Sequence, residues 1–185
     1  MLHLITSLYR HKYIQQVYCS ISNAEDIRWH VAKSKDIITP ELPIDSRIIL
    51  HDCDCRDNDP VCKRDTALST IKDGYFYILD DDTEFHPGMY TLYKLMEASL
   101  YEGMIIGKQI NKDRSLRLKA LSKPAHCYID AGNVLCHHSA IPYVLKAHPY
   151  EKHIAPDFVL WDKAYSFFGN CKQTDEIISL YNSLV

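Results

Sequence analysis

No apolar run in this 185-residue chain approaches the roughly 20 residues a membrane-spanning helix needs. The opening Met1-Leu-His-Leu-Ile-Thr-Ser-Leu-Tyr-Arg10 lacks the basic stretch and long apolar segment of a signal peptide. Excess charge of one sign is missing too. The 21 Lys+Arg stand against 24 Asp+Glu, a formal net charge of −3, so a nucleic-acid footprint is not expected. There is no internal repeat and no low-complexity linker. Seven cysteines are an odd number, which argues against a complete disulfide framework. With no leader, they fit buried thiols in a reducing compartment, and the expected location is the cytoplasm.

What is present is a globular composition, 46% hydrophobic and 24% charged, which argues against disorder. The length fits a single domain over 1–185. Thirteen tyrosines suit half-buried walls that touch polar, ring-shaped ligands.

Strand and helix signals alternate from the start. Strands are expected at Leu2 to Leu8, Ile27 to Ala32, Arg47 to Leu50, Tyr75 to Leu79, Met104 to Ile110, Cys127 to Ile129 and Val134 to Cys136. Helices are expected at Lys12 to Ile21, Val61 to Lys72, Met89 to Leu100, Ser139 to Lys146, Asp157 to Phe168 and Thr174 to Leu184, with Pro87 suited to a first helical position. Residues 33–46 and 111–124 read as loops. Repeated β-α-β units imply an α/β fold, a mainly parallel sheet with helices on both faces. Ligands bind such sheets beyond the carboxyl ends of the strands.

Asp80-Asp81-Asp82 lies at one of those ends. Three successive carboxylates repel one another unless a cation sits among them. Hard oxygen ligands suit Mg2+ or Mn2+, and magnesium takes only one or two carboxylates, filling its other positions with phosphate oxygens and water. On an extended backbone Asp80 and Asp82 point one way and Asp81 the other. The plainer alternative is a solvated acidic turn before the helix at Pro87.

Tyr75-Phe-Tyr-Ile-Leu-Asp-Asp-Asp-Thr-Glu-Phe85 resembles the strand and Asp-x-Asp segment of GT-A glycosyltransferases, particularly family 2 and the glucuronyltransferase-like family 43. Ile5-Thr-Ser-Leu-Tyr-Arg10 resembles their opening strand and turn. Lys63-Arg-Asp-Thr-Ala-Leu68 resembles the helix before the Asp-x-Asp strand. Asp130-Ala-Gly-Asn-Val-Leu-Cys-His-His-Ser139 is similar to their Gly-Asn strand, and Pro156-Asp-Phe-Val-Leu-Trp161 to their late acidic motif. The resemblance implies a nucleotide-binding half over 1–110 and a donor and acceptor half over 111–185. It also implies transfer from a nucleotide-sugar donor to a hydroxyl of a carbohydrate acceptor, with inversion. Asp82 would hold the metal, and Asp80 or Asp81 the ribose. Thr6, Tyr9, Arg10 and Arg64 would lie at the nucleotide, and Gly132 and Asn133 at the donor sugar. Asp157 would be the base, although its place in the sequence also suits a helix cap. One of His137 and His138 can face the site, and His138 is assigned as a further metal ligand.

Two departures keep other readings open. Val31-Ala-Lys-Ser34 stands where the family places acids that read the base, which allows a non-catalytic nucleotide- or carbohydrate-binding protein. The chain is also short for the fold, so a second subunit could complete it. His51, Cys53, Cys55 and Cys62 are a zinc set by type, but their spacing is poor and an incidental loop is the plainer reading. Asp52 and Asp54 could instead approach the nucleotide. A nucleotidyltransferase shares the architecture, but no glycine-rich phosphate loop follows the first strand.

Overall fold

Near-continuous apolar runs become the central strands. In the computed structural model of the protein, which describes residues 1–21, 24–38, 41–145 and 155–184, β1 (Leu2–Ser7) and β4 (Tyr75–Ile78) are buried along nearly their whole length. That is the mark of strands covered on both faces. They pair in parallel, Leu2 beside Tyr75 and Ile5 beside Ile78. β2 (Ile27–Ser34) follows β1 on its other side, and β3 (Ile48–Cys53) follows β2, both parallel. Beyond β4 lie β5 (Met104–Ile110), β6 (Leu116–Leu118), β7 (Val134–His137) and β8 (Lys172–Leu180). The order is β3-β2-β1-β4-β7-β5-β6, with β8 paired to β5. Only β6 and β7 run against the other strands. The sheet is therefore mainly parallel, as the sequence suggests.

Alternation sorts the core into two layers. Leu2, Leu4, Tyr75 and Tyr77 face α1 (Ile14–Ile21) and α3 (Pro87–Ala98), packing with Val17, Met89 and Leu92. Ile5, Phe76 and Ile78 face the opposite layer, built on α2 (Pro60–Leu68), α4 (Ile141–Val144) and α5 (Pro156–Phe168). Helix starts follow local chemistry. Asp59 caps α2 through the Cys62 N–H, and proline opens α2, α3 and α5. α5 ends at Gly169, whose φ of +74° suits a residue without a side chain.

Several expectations are corrected. Residues 174–184 do not form a helix. They belong largely to β8, whose parallel pairing with β5 carries register shifts and supplies bonds that local periodicity does not reveal. Cys127 to Ile129 is a turn with Cys127 at φ +66° rather than a strand, and the loop over 111–124 contains β6. α2 stops at Leu68. The helix expected over 139–146 begins as a 3-10 turn at His138–Ala140 and continues as α4, and Lys146 lies outside the described residues. Of the free thiols Cys53 and Cys136 are buried as expected, whereas Cys19 and Cys127 are exposed, and Cys55 and Cys62 form a disulfide.

Candidate active site

β1 and β4 end side by side, and the chain turns at both exits. The Leu79 N–H extends the ladder to the Ile5 carbonyl at 2.9 Å. The Thr6 hydroxyl donates to the Leu79 carbonyl at 2.8 Å and accepts from the Trp29 indole at 2.9 Å. Thr6 is thus a buried clamp on the exit of β4 and does not reach the cavity beyond it. After Leu79 the backbone curls, with the Thr83 N–H bonded to the Asp80 carbonyl. Side chains therefore do not alternate, and Asp80, Asp81 and Asp82 all line one cavity of about 390 Å3. Tyr9, Arg10, Arg64 and Asp157, each expected at a site, line it too, together with Asp130.

The acids differ in their partners. Asp81 Oδ2 accepts the backbone N–H groups of Tyr9 and Arg10, each at 2.5 Å. Arg10 Nη1 bridges Asp81 Oδ1 at 3.0 Å and Asp82 Oδ2 at 2.5 Å. Burial pushes the Asp82 carboxyl up, against the opposing pull of Arg10. Asp80 makes no side-chain hydrogen bond or ion pair among the described residues. Burial first, then the charges of Asp130, Asp157, Asp82 and Asp81, hold it well above the usual carboxylate range.

Asp157 lies on the first turn of α5. The N-cap is Ala155, which makes no side-chain hydrogen bond, so Asp157 does not cap the helix but stands as an acid in its first turn. Its carboxylate accepts the Ala131 N–H, and burial plus the Asp130 charge push its pKa up to about 6, with Arg64 and Arg117 pulling the other way. Gly132 and Asn133 stand behind the cavity wall. The Gly132 carbonyl accepts the Tyr77 hydroxyl at 2.9 Å, and Asn133 and Asp130 form a reciprocal capping box. Their work is to shape the turn that presents Asp130 and Ala131. Arg64 is buried and paired with Asp65 at 3.2 Å. The Tyr9 hydroxyl is buried without a hydrogen-bond partner among the described residues, and Lys63 sits 3.9 Å from its ring centre.

His138 is not brought to this site. Its N–H bonds the Gly74 carbonyl at the amino end of β4, whereas Asp82 follows the carboxyl end, so the two cannot share a metal. The zinc set is not formed either. His51 bonds His30 at 2.9 Å, and Cys55 is joined to Cys62. Asp52 pairs with Lys33 at 2.6 Å and Asp54 with Lys35 at 3.5 Å, and neither lines the cavity.

From sequence alone Asp130 is one residue of the Gly-Asn segment, and Arg117 belongs to a basic loop that could attract phosphate but is more simply solvated. Arg117 bonds Asp130 at 2.8 Å while its guanidinium lies 3.5 Å over the Tyr181 ring. The Asp130-x-x-Asn133 spacing was the available signal for the first. No local signal marks the second, because Asp130 and Tyr181 lie in separate turns, before Ala131 and after β8.

Among the described residues no three His, Cys, Asp or Glu side chains are arranged to hold a metal ion. A cation of the magnesium class needs fewer. Asp80 and Asp82 offer hard oxygens, and the unpartnered, mutually repelled Asp80 carboxyl is a group that such a charge would satisfy.

No protein-family model and no curated protein matches the sequence. Solved structures match in fold. S. aureus TarS aligns with a TM-score of 0.74 at 12% identity, over 97% of this chain and 36% of that one. TarS 1-349 in complex with UDP-GlcNAc aligns at 0.72 and 13%, over 97% and 57%. Francisella tularensis 2-C-methyl-D-erythritol 4-phosphate cytidylyltransferase aligns at 0.60 and 11%, over 98% and 91%. The chain spans between 36% and 59% of the TarS chains it matches. At these identities the likeness establishes the fold and does not single out family 2 or family 43. The chain has a GT-A-like fold.

Proposed function

We propose that the protein is a glycosyltransferase that moves a sugar from a nucleotide-diphospho-sugar to a carbohydrate hydroxyl, with inversion at the anomeric carbon and with Mn2+ or Mg2+ bound. One observation carries this reading: at the carboxyl ends of β1 and β4, a carboxyl raised to about 6 shares a cavity with acids countered by arginines. A cavity of about 390 Å3 is within the range of small-ligand sites, and the place is where such sheets bind ligands. The resemblance of the Asp80–Asp82 segment and the UDP-GlcNAc complex of TarS support the donor class.

The roles follow from chemistry. Asp157 takes the proton of the acceptor hydroxyl as that oxygen attacks the anomeric carbon and the bond to the diphosphate breaks. A pKa near 6 leaves it ionised at neutral pH yet basic enough to accept. Arg10 and Arg64 face the leaving diphosphate. Asp80 and Asp82 would hold the cation, which when bound neutralises the charge developing on the leaving group. The test is thermal stabilisation by UDP-GlcNAc and a panel of other nucleotide sugars, with and without Mn2+, followed by release of free nucleotide. The expected result is a manganese-dependent shift and slow nucleotide release that Asp157→Asn abolishes. A shift without release would leave a binding protein, and no shift with any donor would overturn the reading.

A second reading rests on size, since the chain covers 91% of the cytidylyltransferase. Pyrophosphate release from CTP or UTP would favour it. The absence of glycine between Leu8 and Tyr13 argues against it, because the backbone cannot approach phosphates as closely there.

A further inference from the structure

The Arg10 guanidinium occupies one oxygen of Asp82, an acid that would hold the cation. A divalent ion bound to Asp82 Oδ2 would sit about 2 Å from that oxygen, and Arg10 Nη1 already lies 2.5 Å from it. The same nitrogen lies 3.0 Å from Asp81 Oδ1. The guanidinium and the ion therefore compete for Asp82 Oδ2.

The two sides of this contact are held very differently. Asp81 and Asp82 side chains are 2% exposed, whereas the Arg10 side chain is 50% exposed. Asp81 is fixed by two backbone N–H groups whatever Arg10 does. Besides Arg10, Asp82 meets the Thr83 hydroxyl at 3.4 Å. Among the described residues the neighbouring cations are engaged elsewhere: Arg64 with Asp65, Lys63 with Asp57 and Arg117 with Asp130. Two adjacent buried carboxylates stripped of their countercharge are strongly unfavourable, so Arg10 leaves only when another cation replaces it.

We propose that Arg10 is a displaceable internal counter-ion that competes with divalent cations for Asp82 until a nucleoside diphosphate draws its guanidinium away. The proposal rests on the reading of the cavity as a nucleotide-sugar site. A tethered cation competes with a free one at high effective concentration, so metal alone binds weakly. A guanidinium matches a phosphate with two parallel hydrogen bonds, and Arg10 can turn to the cavity from a backbone that Asp81 holds still. By linkage, diphosphate then raises cation affinity, and cation raises diphosphate affinity by the same factor.

The experiment is Mn2+ binding to the ligand-free protein, followed by the spin resonance of free Mn2+ and by calorimetry, with and without UDP. For the wild type we expect weak binding alone and at least tenfold tighter binding with UDP. Arg10→Gln and Arg10→Ala should bind Mn2+ alone at least tenfold tighter than the wild type, with a smaller further gain from UDP. Equal or weaker Mn2+ affinity in folded Arg10 variants overturns the proposal. A second measurement needs no variant: the Arg10 Nε–H resonance of the wild type should move when Mg2+ and UDP are added together, and an unmoved resonance under saturation equally overturns it. Tighter Mn2+ binding in the variants with no UDP binding by any protein would keep the counter-ion and remove the nucleotide reading.

Discussion

The Trp161 indole N–H donates to the Asp130 carbonyl at 3.1 Å, tying the helix that carries Asp157 to the turn that carries Asp130. Trp161 is fully buried and stacked on Phe76, with ring centres 5.9 Å apart, so the tie is anchored in the core beneath β4. Trp161→Phe keeps most of the packing and leaves the carbonyl with the longer 3.4 Å bond from the Asn133 N–H. The expected outcome is a loss of about 1 kcal/mol in denaturant unfolding, with a larger fall in turnover than in donor affinity.

Asp157 gives the site a pH signature of its own. Its carboxyl is raised from 3.8 to about 6. The folded state therefore binds more protons than the unfolded state between those values, and stability falls as pH rises through the interval. In the ligand-free protein Asp157→Asn should remove that fall and raise stability at pH 7 by on the order of 2 kcal/mol. Turnover by the wild type should rise with pH through about 6. Urea unfolding at several pH values, with a pH–rate profile, checks both.

Three histidines form a hydrogen-bonded row across the parallel strands. His3 Nδ1 lies 2.9 Å from His30 Nε2, and His30 Nδ1 lies 2.9 Å from His51 Nε2. His3 Nε2 meets Asp73 at 3.0 Å. An ionised Asp73 can only accept, which makes each ring the Nε2–H tautomer. Burial lowers all three, His30 to about 3 with help from its two neighbours. Here the unfolded state binds more protons, so stability is present above pH 6.5 and lost below it, opposite in sign to Asp157. The loss attributable to His30 should reach on the order of 3 kcal/mol by pH 4. His30→Gln should flatten the acid limb of the stability curve, and acid titration of the two proteins by circular dichroism is the measurement.

The Cys55–Cys62 disulfide closes a short loop whose end supplies Pro60 and Val61 to the cavity wall. Replacing both cysteines by serine should cost about 2–3 kcal/mol through the freedom returned to the unfolded chain. Adding a reductant to the wild type should lower its melting temperature to that of the serine variant and leave the variant unmoved.

The parts of this structure that were legible in sequence are those fixed by neighbours along the chain. Tyr75 to Leu79 is apolar enough to be a central strand, and the acids after it stand where such a strand must end. Asp157 opens a helix because Pro156 precedes it. What was not legible depends on distant partners. Thr174 to Leu184 carries apolar residues at helical spacing, and only the edge of β5 makes it a strand. Asp81 would point away from its neighbours on an extended backbone, but the turn closed by Thr83 and the N–H groups of Tyr9 and Arg10 reverses it. His138 follows a plausible motif, yet the antiparallel course of β7 delivers it to the wrong end of β4.

The bonds that join Asp81 to Tyr9 and Arg10 close loops of more than 70 residues. In the unfolded chain the acids and their arginine are strangers, and no short fragment holds both. The polar apparatus therefore assembles only with the whole sheet and disappears with it. Proteolytic pieces spanning the acidic turn alone would carry repulsion without its remedy.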